Sequence, residues 1–239
     1  MSTQFQADGP EAQALADFLA KWRDRWPEWE IAEVFAPATR RPVALAWAAL
    51  QQELLDAAWS GTDPAPGAAK LLWWQEELAG WARGARRHPL GVTLQRLAAP
   101  WPALGAQLPH LGRTREAPAD LDQAFATLAP LAAAAAEVDV ALFGGDRPSP
   151  ELISLQWLAT RALQHPAAAV PPALQASRGE AALPAWRVAL AARRAPGVGG
   201  TPVERRLWAA LARARLSVRP GQPLSRLNTL FVAWGAARN

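Results

Sequence analysis

Apolar residues recur along this chain every three to four positions, the spacing that places them on one face of an α-helix. Between Pro10 and Trp26, the residues Leu15, Phe18, Leu19, Trp22 and Trp26 share such a face, and Pro27 ends the run. A short helix through Phe35 is expected next. Thr39 is a suitable N-cap for a helix to Trp59 whose buried stripe is Val43, Trp47, Leu50, Leu54 and Ala58. The run GTDPAPG at 61–67 reads as a loop, and a helix then carries Lys70 to Arg83, with Gly84 at its end. Shorter helices are expected over 89–98 and 101–108, and a long one from Ala119 to Leu142 interrupted at Pro130. After the GGDRPSP loop at 144–150 come a helix from Glu151 to Gln164 and segments near 172–194, 202–217 and 223–237. The APGVGG stretch at 195–200 reads as a flexible connector within one fold. The pattern predicts nine to eleven helices and no sheet. It shows no internal repeat and no linker long enough to separate one domain from another, so residues 1–239 are read as one all-α domain.

Composition sharpens the class. Half of the chain is apolar, dominated by Ala and Leu, with 13 Trp, no Tyr and no Cys. Ala and Leu lose little side-chain entropy in a helix, whereas the β-branched and aromatic residues that favour strands are scarce apart from Trp. Trp47 and at least one of Trp73 and Trp74 lie on apolar stripes and are expected inside. Without Cys there is no disulfide, no thiolate nucleophile and no Cys-ligated metal. His88, His110 and His165 are scattered, each beside a proline, which suits turns rather than a metal site. The start of the chain is polar and acidic, without the basic and apolar regions of a signal peptide. The most apolar run, Leu121–Phe143, is broken by Asp122, Glu137 and Asp139, so a cytoplasmic protein is expected.

Charge is uneven. Residues 1–146 carry 18 acids and 12 bases, and residues 147–239 carry 3 acids and 13 arginines. A basic half attracts anionic lipid, diphosphate or nucleic acid, but no aromatic–basic nucleic-acid motif accompanies it, so no nucleic-acid partner is expected. The competing reading is that the arginines simply solvate helix faces. If they do form a surface, Arg205, Arg206, Arg213, Arg215 and Arg219 make a basic face over 203–219, with Leu207 and Leu211 packed inward.

Phe35 to Leu97 carries a recognisable block: Pro37, Arg41–Pro42, a long helix, Lys70–Leu71, Trp73–Trp74, Leu78 and His88–Pro89. In order and spacing it resembles the N-terminal third of squalene/phytoene synthases. LISLQWLATRAL at 152–163 sits roughly where that family has its second substrate-binding helix, and PLSRLNTLFVAW is similar to its closing helices. The resemblance implies a single helical bundle of the isoprenoid synthase type around a central apolar cavity. It also implies head-to-head condensation of two prenyl diphosphates. That reaction ionises a carbon–oxygen bond, and Mg²⁺ held by two Asp-x-x-x-Asp motifs stabilises the departing diphosphate.

The carboxylates for that chemistry are missing. Aligned on Glu53, the outer aspartates of the first motif fall on Leu55 and Trp59, and only Asp56 remains. Glu53 and Asp56 share a helix face, so they are either a residual one-metal site or two solvated charges. The second motif has no counterpart, because no aspartate follows Asp146. Gln156 and Arg161 remain as polar groups that would face a cavity. Glu53, Asp56, Gln156 and Arg161 are therefore the candidate substrate-binding residues, with no catalytic residue and no cofactor assigned. Mg²⁺ enters only if the enzyme is active. Glu76–Glu77 beside the tryptophan pair reads as surface acids rather than an acid in an apolar pocket.

Three functions follow as expectations. The first is a degenerate family member that binds an isoprenoid or lipid-like ligand or serves assembly or regulation. The second is an active prenyltransferase in squalene, hopanoid or carotenoid synthesis. The third is a peripheral adaptor on the inner membrane, using the basic C-terminal face on an anionic surface.

Overall fold

Alanine beside tryptophan sets the packing: small residues let helices approach, and large rings fill the space that remains. The computed structural model describes residues 9–195, 199–219 and 221–238, and these contain helices and turns but no strand. Eight helices have eleven residues or more. They are α1 (Pro10–Arg25), α2 (Arg41–Trp59), α3 (Pro64–Trp81), α4 (Leu121–Phe143), α5 (Pro150–Gln164), α6 (Ala182–Ala192), α7 (Val203–Arg215) and α8 (Arg226–Arg238). Short helical turns fill the connections, which raises the number of segments above the nine to eleven expected.

Helix α2 is the centre. Fourteen of its nineteen residues are buried, so it is enclosed on nearly every side rather than along one stripe. It packs on α1 and α3, while α5 packs on α4, α6 and α7, and α8 closes over α7. The approach of α2 to α3 needs a glycine: a Cβ on Gly67 would lie 2.3 Å from the Ala57 carbonyl oxygen. Eleven of the 13 tryptophans are buried, including Trp47 and Trp74, with Trp73 partly so and Trp234 exposed. Truncating such a ring to Ala costs about 3–5 kcal/mol, so the indoles carry much of the core.

Three elements depart from the pattern-based expectation, each for a local reason. Helix α3 starts at Pro64, inside the expected loop, because Asp63 accepts a hydrogen bond from the Ala65 N–H and proline suits the first turn. Helix α4 runs unbroken through Pro130, with Leu128, Leu131 and Ala132 buried around it. The segment 172–194 splits at Gly179, whose φ of 51° is a conformation that favours glycine. The expected connector at 195–200 includes residues 196–198, which lie outside the described residues. By length and composition α4 is apolar enough to cross a membrane, yet here it lies in the bundle with Asp139 fully buried.

Candidate functional site

A charged centre occupies the space that α2, α4, α5 and α7 enclose. Arg205 on α7 and Asp139 on α4 are both fully buried and pair in a two-pronged geometry, Nε to Oδ2 at 2.6 Å and Nη2 to Oδ1 at 3.0 Å. The remaining guanidinium protons reach Gln51 Oε1 at 3.1 Å, from both Nη1 and Nη2, and Gln156 Oε1 at 2.5 Å. All five donors of the guanidinium are thus used. Two indoles close the network: Trp47 donates to Asp139 Oδ1 at 2.7 Å and Trp157 donates to Gln51 Oε1 at 3.1 Å. Trp208 lies under the guanidinium, 5.1 Å from its carbon. Beside this centre remains a cavity of about 20 Å³, lined by Gln51, Gln156, Leu55, Trp29 and Trp208 among others. That is room for one water, not for a prenyl chain.

Glu204, one residue before Arg205, is also fully buried, but among the described residues neither carboxylate oxygen makes a hydrogen bond. Burial pushes its carboxyl above the ordinary carboxylate range, and Asp139 pushes the same way. The charges of Arg40 and Arg206 and its own backbone N–H act against that rise.

The four candidate residues are not brought together. Glu53 pairs with Lys70 of α3 at 2.7 Å. Asp56 accepts from Arg25 at 2.6 Å and from Gln52 at 2.8 Å, in a groove of about 510 Å³ that it shares with Gln164, His165 and Arg215. Gln156 belongs to the Arg205 centre. Arg161 points elsewhere: it donates to the backbone carbonyls of Arg115 and Glu116 at 3.0 and 3.1 Å and rests against Trp59. Burial pulls its pKa down to about 10. Leu55 and Trp59, where the resemblance would place aspartates, are buried, and the Trp59 indole donates to the Thr114 hydroxyl at 2.8 Å. The residues present do not fit a Mg²⁺ cluster. Two of the positions are apolar, and the two carboxylates that remain are held by cations from other helices.

Glu77 corrects the expectation of two surface acids on α3. Glu76 is exposed, but Glu77 is buried and anchors the turn that follows the helix. Its Oε1 accepts from the Trp81 indole, the Arg87 N–H and the His88 N–H at 2.7–2.9 Å, and its Oε2 accepts from Arg87 Nε at 3.0 Å. Burial alone would raise its pKa, but these four hydrogen bonds outweigh burial and hold the carboxyl below the ordinary range. His88 packs on Trp74 and Phe18, and burial lowers its pKa to about 4, against the pull of Glu77. The His88–Pro89 pair is thus part of the packing around α3.

The basic face expected over 203–219 is only partly consumed inside the fold, since Arg213 and Arg219 remain exposed. Arg205 is internal, Arg215 pairs with Glu28 at 2.7 Å, and Arg206 and Arg213 each donate to a backbone carbonyl. Leu207 and Leu211 pack inward as expected. Sequence reasoning missed Gln51, Glu77, Asp139 and Arg205 as a buried polar set. The signal was present: Gln51 follows Trp47 by four, Glu77 follows Trp74 by three, and Arg205 precedes Trp208 by three, so each lies on a stripe of core residues. No family model, no curated protein and no solved structure matches the chain.

Proposed function

We propose that this chain is a divergent, non-catalytic relative of the squalene/phytoene synthases, with an isoprenoid-synthase-type bundle, that serves assembly or regulation through its surface. One observation carries the reading. The space between the two helices that would face each other across a substrate cavity is filled by the Arg205–Asp139–Gln51–Gln156 network, leaving about 20 Å³. A ligand-binding version of the reading would need a pocket of several hundred Å³. The groove at Asp56 has that size, but it is open and mixed in charge, with Asp24, Arg25, Asp56 and Arg215 on its walls.

Turnover tests this. Purified protein with Mg²⁺ and farnesyl or geranylgeranyl diphosphate is expected to yield no squalene or phytoene. Without metal ligands several kcal/mol of leaving-group stabilisation are missing, and each ~1.4 kcal/mol is a factor of ten in rate. Mg²⁺-dependent product that disappears in Asp56→Ala would overturn the reading and favour the active prenyltransferase. Native mass spectrometry should find the protein without a copurified isoprenoid. A stoichiometric lipid adduct would restore the ligand-binding version.

A further inference from the structure

Helix α8 presents an apolar face that nothing among the described residues covers. Its inner side is settled against α7 and the 29–35 turns, with Thr229 and Ala233 fully buried. Its outer side carries Leu227, Leu230, Phe231 and Trp234, exposed at 69%, 43%, 67% and 49%. The spacing 227, 230, 231, 234 is one continuous helical stripe, not scattered surface residues. Of the other exposed large apolar residues, Leu72 stands on α3 and Val188 on α6, while Val34 lies on the turns beneath α8.

The charges around the stripe indicate what covers it. Arg226, Leu230, Trp234 and Arg238 follow one another at intervals of four, so an exposed arginine closes each end of the apolar row. The Arg238 guanidinium lies 4.5 Å from the Trp234 ring. No acid follows Glu204 in the sequence, and Glu204 is buried. On the turns beneath α8, Glu33 is tied to Arg23, which leaves Glu30 as the exposed acid there. A helix with Leu, Phe and Trp on one face and arginine at both ends suits the boundary of an anionic bilayer. The rings sit at headgroup depth while the guanidinium groups reach lipid phosphates. A second copy is a poorer occupant. An antiparallel pair of α8 helices sets Arg226 against Arg238, a parallel pair sets each arginine against itself, and the helix has no acid to relieve either.

We infer that α8 is a membrane-docking element that lays its Leu227–Trp234 face on an anionic lipid surface. The surface differs from the 203–219 face expected from the sequence, and the inference holds whether or not the protein is catalytic.

The test is co-sedimentation with large unilamellar vesicles of phosphatidylcholine alone or with about one third phosphatidylglycerol, at low and high salt. Sedimentation velocity without lipid gives the oligomeric state. The expected result is a monomer that partitions onto the phosphatidylglycerol vesicles at least about tenfold more strongly than onto neutral ones, less so at high salt. The pair Phe231→Ser and Trp234→Ser, on exposed positions that should leave the melting temperature unchanged, is expected to cut binding about tenfold or more. Arg226→Ala with Arg238→Ala should remove the preference for anionic lipid, and Val188→Ser should change nothing. Failure to bind either vesicle, or binding that Phe231→Ser and Trp234→Ser leave intact, would overturn the inference. So would a dimer that those substitutions dissociate, which would make the face a self-association surface.

Discussion

Glu77 and Glu204 are both glutamates on helices, both buried, and shifted in opposite directions. At Glu77 the turn after α3 delivers two backbone N–H groups, an indole and a guanidinium to one carboxylate. Gly84, at φ 80°, lets the chain reverse so that Arg87 and His88 can point back. At Glu204 the first turn of α7 supplies a favourable helix dipole and the residue's own N–H nearby, but no hydrogen bond among the described residues reaches the carboxylate, and desolvation prevails. Burial therefore does not decide a carboxylate's charge; the donors the fold has aimed at it do. The two sites also differ in purpose. One fastens a turn to a helix, and the other adjoins the most completely satisfied cation in the molecule.

The largest effect expected is at that cation. Asp139→Ala leaves Arg205 buried without its counter-ion and should cost about 3–5 kcal/mol in urea unfolding. Replacing both partners, Asp139→Leu with Arg205→Met, should recover much of that loss, because desolvation of both charges disappears along with their attraction. If Asp139→Ala unfolds with wild-type stability, the guanidinium does not depend on Asp139 and the contrast with Glu204 collapses.

Next in size is Glu77→Gln, expected to cost about 1–3 kcal/mol, since an amide nitrogen cannot accept the hydrogen bonds that one carboxylate oxygen received. The sign of its pH dependence follows from a folded pKa below the unfolded value of 4.5. The stabilisation is present above pH 4.5 and is lost as pH falls through the lower folded value. His88 adds a second acid-sensitive step. Its folded pKa of about 4 lies below the ordinary 6.5, so the unfolded chain takes up that proton first and stability falls between those values. Unfolding followed from pH 7 to 3 should show both steps in the wild type and only the upper one in Glu77→Gln.

Much of the fold was legible because its logic is local. Helix periodicity, Pro27 and Gly84 each act within a turn of the chain, and the all-α class followed from the periodicity and the Ala- and Leu-rich composition. The start of α3 was misplaced because Asp63–Pro64 can open a helix as readily as sit in a loop. The polar centre was not legible. Arg205 meets Asp139 across 66 residues and Gln51 across 154, so although its place three before Trp208 turns it inward, nothing local names its partners. Counting arginines gave a basic face; their partners reveal that several are internal fasteners. Glu77 and Arg205 each share the buried side of a tryptophan three positions away, whereas Lys70, four before Trp74, and Arg25, three after Trp22, are exposed, so spacing from a core tryptophan narrows the choice without deciding it.

The smallest and most discriminating effect is at Glu204 itself. Its folded pKa is raised above 4.5, so the unfolded chain ionises first as pH rises. Between 4.5 and the folded value the native state alone holds the proton, stability declines with pH, and the loss persists to neutrality. Glu204→Gln keeps the shape and removes the charge. It should therefore raise stability at neutral pH and change nothing in acid, below the unfolded value of 4.5. The same substitution at Glu77 acts with the opposite sign, so paired unfolding curves of the two variants at neutral and acid pH measure the contrast directly. A Glu204→Gln variant that is less stable than wild type at neutral pH would mean that the carboxylate has a partner, with Arg40 and Arg206 the nearest cations to supply it. Glu204 would then join Glu77 as a satisfied anion, and the difference between the two sites would be one of degree.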